Sequence, residues 1–284
     1  MKLPRFEYAA PRTLDEAIAL LASRSGAKPL AGGQSLIPTM AFRLAAPALL
    51  VDLRKITGLE RIEAGKDFTA LGARVRWRDI LESAALKSAQ PLLVAAIEHV
   101  AHYQIRNRGT VGGSLAHADP AAELPGIAVT CDAQIHLRGK TGLRRINAGE
   151  FFVGPLSTVL GDDELIVELR FPPWPAGRRW GFQELSPRRG DFPYAGVAAF
   201  YDLDANGKAC NAHVGVIGAC HRPHRIAEAE AALNGRRVDA GVIREAAAAA
   251  EKAVDPPSDL HASAAYRRSL VGTLLERALS VEER

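Results

Sequence analysis

Two short motifs with paired glycines constrain this chain more than any other feature of its sequence. The first is Ala31-Gly32-Gly33-Gln34-Ser35, and the second is Thr110-Val111-Gly112-Gly113-Ser114. Adjacent glycines let the backbone turn with positive φ and bring its N–H groups close to a ligand. Successive N–H groups that point into one concavity bind anions such as a diphosphate. One such loop is equally typical of an ordinary turn, but two favour a dinucleotide that is held from both sides.

Two common phosphate-binding motifs are absent from the sequence. The chain contains no Gly-x-x-x-x-Gly-Lys-Ser/Thr motif, and no Gly-x-Gly-x-x-Gly motif follows a first strand and opens a helix. The paired glycines therefore predict a nucleotide site that belongs neither to a P-loop protein nor to a Rossmann fold.

Longer stretches around the two motifs extend the pattern. They are residues 31–38, residues 104–114, Ala118-Asp119-Pro120 and Glu123-Leu124-Pro125. Together they resemble the FAD-binding medium subunits of molybdenum hydroxylases, the carbon monoxide dehydrogenase and xanthine dehydrogenase type enzymes. The resemblance implies an α+β fold: a two-subdomain flavin-binding fold of the vanillyl-alcohol oxidase and p-cresol methylhydroxylase type, followed by a C-terminal three-stranded antiparallel sheet with helices.

The proline-rich stretch 171–177 predicts a boundary between two domains, because proline continues neither a helix nor a central strand. We expect an FAD-binding domain over residues 1–173, with subdomains at about 1–57 and 58–173, and a C-terminal domain over residues 178–284. Three strands are predicted in the C-terminal domain, at residues 180–183, 196–201 and 212–216.

The resemblance also selects the residues that would contact FAD. They are Ala31, Gly32, Gly33, Gln34, Ser35, Leu36, Thr110, Val111, Gly112, Gly113, Ser114, Asp119, Leu165, Ile166 and Phe192. Backbone at Leu165 and Ile166, at the start of a strand, is expected near the isoalloxazine ring. Phe192 is the expected aromatic neighbour of that ring, with Tyr194 second. An aromatic side chain that fixes its loop to the core is an equally good interpretation of the residues alone.

Asp119 has two interpretations, which are compatible with each other. Its carboxylate can accept a hydrogen bond from a ribose hydroxyl of the nucleotide. It can also cap a helix, because Pro120 suits the first helical position. The family resemblance favours the nucleotide contact. Nearby in the expected site, Gln183-Glu184 stands where many family members carry a lysine, which leaves the charge around the flavin open.

No catalytic set and no metal site is predicted in this chain. The three cysteines, Cys131, Cys210 and Cys220, match no zinc or iron–sulfur spacing. They are expected to be buried small side chains in a reducing compartment, which predicts a cytoplasmic protein. His99 and His102 are expected to pack or to cap, because no third ligand is evident. No histidine or cysteine is placed for covalent attachment, so FAD is expected to bind non-covalently.

Charge and hydropathy predict that the chain does not bind nucleic acid and does not span a membrane. The net charge is +4, and the arginines occur in scattered pairs. Pairs such as Arg178-Arg179 and Arg188-Arg189 are interpreted as solvated faces or partner contacts, and Phe151-Phe152 as an apolar face for such an interface. No run of about 18 apolar residues is present, and residues 1–6 show no secretory signal.

The resemblance implies an electron-transfer subunit of a larger enzyme. Family members work with a large molybdopterin subunit and a small subunit that holds two [2Fe–2S] clusters, usually as a doubled heterotrimer. Electrons pass from the clusters to FAD and on to an external acceptor. Two alternatives stay open. One is a self-sufficient FAD-dependent reductase on the same fold, which needs a proton donor beside the flavin. The other is a scaffold module with an empty flavin fold.

Overall fold

A small parallel sheet opens the chain. The computed structural model describes residues 2–280; Met1 and residues 281–284, at the ends of the two predicted domains, lie outside the described residues. The first elements are β1 (Glu7–Ala9), α1 (Leu14–Ser23), β2 (Ala27–Leu30), α2 (Leu36–Ala41) and β3 (Leu49–Asp52). β3 lies between β1 and β2 and runs parallel to both.

Local side-chain chemistry sets the start of α1. The Thr13 hydroxyl accepts a hydrogen bond from the N–H of Glu16 at 3.2 Å, as an N-cap should. The Glu16 carboxylate accepts from the backbone N–H of Arg12 at 2.8 Å. The helix then buries Ala17, Ile18 and Leu21 against the sheet, so one turn of polar contacts orients the apolar face.

A five-stranded antiparallel sheet forms the second region, with strand order β4-β5-β10-β6-β7. A two-stranded hairpin, β8–β9, projects beside it. The elements of this region are β4 (Ile62–Ala64), β5 (Thr69–Gly72), α3 (Trp77–Glu82), α4 (Ala84–Ala89), α5 (Pro91–Ile97), α6 (Tyr103–Arg106), α7 (Val111–His117), α8 (Glu123–Thr130), β6 (Gln134–Gly139), β7 (Gly142–Asn147), α9 (Ala148–Phe151), β8 (Phe152–Gly154), β9 (Ser157–Thr158) and β10 (Leu165–Phe171).

Phe151 and Phe152 are core residues, so their prediction as an exposed apolar face is wrong. Both side chains are buried, and their rings meet edge-on with centroids 5.1 Å apart. The short helix α9 packs against α8, and Phe151 at its end and Phe152 at the start of β8 both belong to the main hydrophobic cluster. A pair of adjacent aromatic residues does not reveal which way a one-turn helix will face.

The C-terminal region is a four-stranded antiparallel sheet with helices packed on it, in the order β11-β12-β13-β14. Its elements are β11 (Arg179–Leu185), β12 (Ala195–Leu203), β13 (Ala209–Ile217), β14 (His224–Arg225), α10 (Ala227–Leu233), α11 (Ala240–Ala253) and α12 (Ala264–Ser280). The three predicted strands are present. The sheet has four strands and not the predicted three. The fourth strand is β14, whose residues 224–225 pair with Gly215 and Val216 before the next helix begins.

Arg178 is buried, so its prediction as part of a solvated pair is wrong. Its guanidinium lies 4.8 Å from the centroid of the Trp174 ring and 4.2 Å from that of Phe200. It donates two hydrogen bonds to the carboxylate of Asp202, at 2.8 and 2.9 Å. The ion pair and the two aromatic faces fix the segment that joins the two regions.

One hydrophobic cluster runs through both regions. Leu124 and Ile127 of α8 belong to the same cluster as Phe200 and Ile217 of the C-terminal sheet. The close approach needs glycine: a Cβ on Gly126 would overlap the side chain of Ile217. The main core therefore lies at the junction, with α8 in its middle.

Two of the three cysteines follow their prediction. Cys131 and Cys220 are buried, and burial raises the pKa of each thiol to about 12. Cys210 is only partly buried. All three thiols are free.

Candidate functional site

The two glycine motifs meet in the structure. The first motif is the loop between β2 and α2, and it lies against the segment that leads into the second. A Cβ on Gly32 would overlap the carbonyl oxygen of Arg108, so the two backbones touch directly there. The Nε atom of Arg108 lies 3.4 Å from the carbonyl oxygen of Gly32. The first motif and the segment before the second motif are therefore in direct contact in the fold.

Three backbone N–H groups of the first motif have no backbone acceptor within the described residues. Gly33 has φ of +74°, the conformation expected for a glycine in such a loop, whereas Gly32 does not have positive φ. Within the described residues, no backbone carbonyl accepts from the N–H groups of Gly33, Gln34 or Ser35. Three successive free donors at a tight turn form a concavity that suits an anion.

The second motif is the first turn of α7, so its prediction as a loop with positive φ is wrong. Gly112 and Gly113 are helical, and neither has positive φ. The Thr110 hydroxyl accepts from the N–H of Gly113 at 3.2 Å, and the Gly112 N–H donates to the carbonyl of Ala73 at 2.8 Å. Gly112 is required for packing, because a Cβ there would lie 2.7 Å from that of Ala73. Its backbone donors are therefore used within the protein.

A cleft of about 200 Å³ opens between the motifs and is called the basic cleft here. It is lined by Ala31, Gly32, Asp52, Arg54, Arg74, Arg76, Asn107, Arg108 and Thr110. Four arginines face one carboxylate, so the lining carries an excess of positive charge. Sequence reasoning missed these arginines, because they come from three separate segments and no local pattern joins them.

Asp52 is the only acid of the cleft lining, and it is held in place by two neighbours. The carboxylate is almost fully buried at the end of β3. It accepts hydrogen bonds from the Tyr8 hydroxyl at 2.8 Å and from Nε of Arg54 at 2.6 Å. Asp52 therefore offsets the charge of Arg54.

Asp119 caps a turn and does not cap α8. Its Oδ1 atom accepts from the N–H of Ala121 at 2.9 Å, while α8 begins at Glu123 with Ala122 as its N-cap. The N-cap interpretation was wrong because Pro120 lies in this turn and not in the first turn of the helix. The carboxylate is partly exposed, beside the end of α7.

Leu165 and Ile166 direct their side chains into two different cores. Leu165 belongs to the cluster under the first sheet and Ile166 to the main cluster, and each side chain is at most 5% exposed. Only their backbone can therefore face a ligand. Phe192 is 62% exposed in the loop between β11 and β12, so it does not fix that loop to the core. Tyr194 instead packs edge-on against Tyr266, with ring centroids 6.2 Å apart.

A buried acidic pair lies near the predicted flavin residues, and the sequence did not indicate it. The Glu184 side chain is 2% exposed, its Oε1 lies 3.1 Å from Nδ1 of His99, and its Oε2 has no hydrogen-bond partner among the described residues. Burial raises the pKa of Glu123 to about 8, and the charges of Glu184 and Asp119 add to the shift. His99 also packs edge-on against Phe182, which confirms its prediction as a packed histidine.

Neither a metal centre nor a membrane span appears in the described part of the chain. No group of three or more histidine, cysteine, aspartate or glutamate side chains there is placed to hold a metal ion. Within residues 2–280, no helix combines the length and the apolar character needed to cross a bilayer.

Two family models match the chain in succession. The FAD binding domain in molybdopterin dehydrogenase matches residues 4–174, and the CO dehydrogenase flavoprotein C-terminal domain matches residues 180–281. The chain belongs to the FAD-binding medium subunits of the molybdenum hydroxylase family. Among its curated relatives, this medium subunit is 39% identical to the nicotine 6-hydroxylase medium subunit of Paenarthrobacter nicotinovorans, with 98% of each chain covered. It is 34% identical to the carbon monoxide dehydrogenase medium chain of Hydrogenophaga pseudoflava, over 98% of this chain and 96% of the relative.

Solved structures agree with this family assignment. Carbon monoxide dehydrogenase from Hydrogenophaga pseudoflava, in a form that lacks the Mo-pyranopterin moiety, superposes with a TM-score of 0.95 at 36% identity, over 98% of this chain and 97% of that one. Quinoline 2-oxidoreductase from Pseudomonas putida 86 superposes with a TM-score of 0.93 at 35% identity, with the same coverage. The medium subunit thus shares the mixed helix and sheet architecture of these proteins from end to end.

Proposed function

We propose that this medium subunit binds FAD non-covalently and passes electrons from [2Fe–2S] clusters on a partner subunit to an external acceptor. The observation that carries the proposal is the first glycine motif. Three of its backbone N–H groups have no backbone acceptor among the described residues, its residues Ala31 and Gly32 line the basic cleft, and the segment that leads into the second motif lies against it. This donor set suits the diphosphate of a dinucleotide.

The chain's own residues would bind and orient the cofactor, which supplies the redox chemistry when bound. Residues 31–36 and 110–114 would surround the diphosphate, and Asp119 would accept from a ribose hydroxyl. The backbone at Leu165 and Ile166 would lie near the isoalloxazine. Phe192, exposed on its loop, would provide an aromatic neighbour to the ring.

The partners proposed for this chain are a large molybdopterin subunit and a small [2Fe–2S] subunit in a doubled heterotrimer. Support comes from full-length relatives, such as the 6-hydroxypseudooxynicotine dehydrogenase complex subunit alpha of Paenarthrobacter nicotinovorans, which is 39% identical. We assign residues 1–173 to a flavin-binding domain of the vanillyl-alcohol oxidase type and residues 178–284 to the C-terminal domain. A cytoplasmic location stays a prediction.

Flavin content and turnover test the proposed function together. The chain is purified alone and with its genomic neighbours, and dye reduction is assayed with heterocycles, aldehydes and carbon monoxide. We expect a yellow isolated chain with about one FAD per polypeptide, and turnover only in the assembly. Robust turnover by the isolated chain would instead support the self-sufficient reductase, and a colourless chain that cannot be loaded with FAD would support the scaffold.

A further inference from the structure

We propose that Arg76 and Arg108 supply the positive charges that bind the FAD diphosphate in the basic cleft. The inference rests on the proposed function, since it names side chains for the same cofactor. Four arginines line the cleft, and the structure separates them into two that are already paired and two that are not.

Arg54 and Arg74 are occupied by groups of the protein. Arg54 forms an ion pair with the buried carboxylate of Asp52 at 2.6 Å. Arg74 donates to the carbonyl of Ile56 at 2.9 Å and lies 3.6 Å from the carboxylate of Glu60. Their charges are compensated, so these two arginines hold the wall of the cleft.

The guanidinium groups of Arg76 and Arg108 have no carboxylate partner among the described residues, although the backbone N–H of Arg76 donates to Asp79 at 3.0 Å. The one polar contact of the Arg108 side chain, to the carbonyl of Gly32 at 3.4 Å, is too long for a strong hydrogen bond. An arginine without a counter-charge at the rim of a cleft is a ready ligand for an anion. A guanidinium group can also donate two parallel hydrogen bonds to phosphate oxygens, which the ammonium group of a lysine cannot do.

Each of the two arginines is anchored beside one glycine motif. Arg76 forms a backbone bridge with Thr110, at the start of the second motif. The backbone of Arg108 touches Gly32 of the first motif. Both arginines line the cleft together with Ala31 and Gly32, the first two residues of the first motif, so an anion bound at that motif is within the reach of both side chains. A diphosphate, with two negative charges, balances this pair.

Ligand titration of the full-length chain tests the inference. Bound flavin is removed, and the dissociation constants for FAD and for riboflavin, which has no phosphate, are measured at low and high salt. Arg76→Gln and Arg108→Gln are compared with Arg244→Gln, an exposed arginine on α11 that serves as a charge-matched control. We expect each cleft variant to weaken FAD binding roughly tenfold, because a charged hydrogen bond is lost. Riboflavin binding should stay unchanged, and the FAD affinity should depend less on salt.

The outcomes separate this inference from the proposed function. FAD binding by the wild type, with the same affinity and salt dependence in both cleft variants, would overturn the role of the arginines and leave the flavoprotein intact. Equal losses of FAD and riboflavin affinity would also overturn it, because they would indicate a damaged loop. Failure of the wild type to bind any flavin would remove the proposed function itself. Arg76→Lys and Arg108→Lys keep the charge, so partial recovery of FAD affinity in these variants supports the inference even where glutamine impairs folding.

Discussion

Gly32 and Gly33 are adjacent, yet the structure requires glycine at each for a different reason. Gly32 has no room for a Cβ, because the carbonyl of Arg108 occupies that position. Gly33 needs its positive φ of +74°, and the nearest atoms to a Cβ there, on Ile37 and Leu30, lie 3.2 and 3.3 Å away. The first glycine therefore sets the contact between the motifs, and the second sets the direction of the free N–H groups.

Gly32→Ala should disrupt the proposed flavin site, although it adds only one methyl group. The added methyl group must push apart two backbones, which we expect to cost about 1–3 kcal/mol of stability and to weaken FAD binding at least roughly tenfold. Gly149→Ala is the matched control, since a Cβ at Gly149 meets no atom within 4 Å. Urea unfolding and fluorescence titration with FAD measure both effects. Normal FAD affinity in the Gly32 variant would argue against a rigid contact between the motifs.

Glu123 makes stability depend on pH. Its pKa is raised from 4.5 to about 8, so the folded chain holds a proton that the unfolded chain releases. The stabilisation is fully present below about pH 4.5 and is lost as the pH rises through about 8. Glu123→Gln stays neutral, so it should lose less stability than the wild type between about pH 4.5 and 8, by on the order of a few kcal/mol. The measurement is the free energy of unfolding against pH.

The exposed residue Glu98 provides the control for that pH series. Glu98→Gln makes the same substitution at an exposed carboxyl group, so it measures the effect of the substitution itself. A Glu123→Gln curve that follows the wild type would show that the buried carboxyl group is ionised in the folded chain at neutral pH.

At the scale of elements, the turn before α8 connects the two regions of the chain. Asp119 shapes the turn by accepting from the N–H of Ala121. The next residue, Pro120, accepts a hydrogen bond from the N–H of Gly218 at 2.9 Å, just beyond β13. A short polar turn thereby sets how α8 enters the junction.

Asp119→Ala should therefore destabilise the fold by about 1 kcal/mol, the usual cost of losing one such acceptor. Asp119→Asn should cost less, because its amide oxygen can still accept from the N–H of Ala121. Thermal melting reports the turn, and FAD titration reports the proposed ribose contact. If both variants bind FAD as the wild type does while only the alanine variant melts earlier, Asp119 acts through the turn alone.

Elements specified by neighbouring residues were predictable from the sequence. The pattern Thr13-Leu14-Asp15-Glu16 predicts a capping box, and Thr13 caps α1. Lys140-Thr141-Gly142 predicts a hairpin turn, and the β6–β7 hairpin closes there, with Gly139 opposite Gly142. The helical state of Gly112 was not predictable in this way, because glycine disfavours helices and the helix is imposed by packing against Ala73. In the second glycine motif, packing against Ala73 therefore outweighs the low helix propensity of glycine.

For the whole molecule, the shared core predicts that both regions unfold together. A Cβ on Gly215 of β13 would overlap the hydroxyl of Thr130 on α8, so helix and sheet interlock at backbone distance. We expect a single calorimetric transition whose measured enthalpy equals the van't Hoff value. Two separate transitions in the wild type would contradict the shared core.

Gly215→Ala should weaken that coupling by about 1–3 kcal/mol and lower or split the transition. Gly154→Ala is the control, because a Cβ there meets nothing within 4 Å. Differential scanning calorimetry of both variants distinguishes a specific interlock from a general loss of glycine. An unchanged transition in the Gly215 variant would show that Thr130 yields without cost.

The long-range features of the molecule lay beyond the sequence. The sequence around Arg178 suggests a surface pair with Arg179. In the folded chain Trp174, Phe200 and Asp202 enclose Arg178, and two of these three belong to the C-terminal sheet. The basic cleft likewise assembles from residues that are far apart in the chain. Periodicity and turn chemistry report on neighbours, whereas burial and charge pairing depend on which segments meet.

The position of Leu165 in the chain affects the order in which one hydrophobic cluster can form during synthesis. It belongs to strand β10, yet its side chain completes the hydrophobic cluster under the first sheet, with Ile18 and Val51. During synthesis the elements of that sheet leave the ribosome more than a hundred residues before Leu165 does. The nascent sheet is covered by α1 but lacks this last side chain until β10 is made, so chaperones that hold exposed apolar segments can act on it in that interval. The hydrophobic cluster under the first sheet is thus completed only when Leu165 has been synthesised.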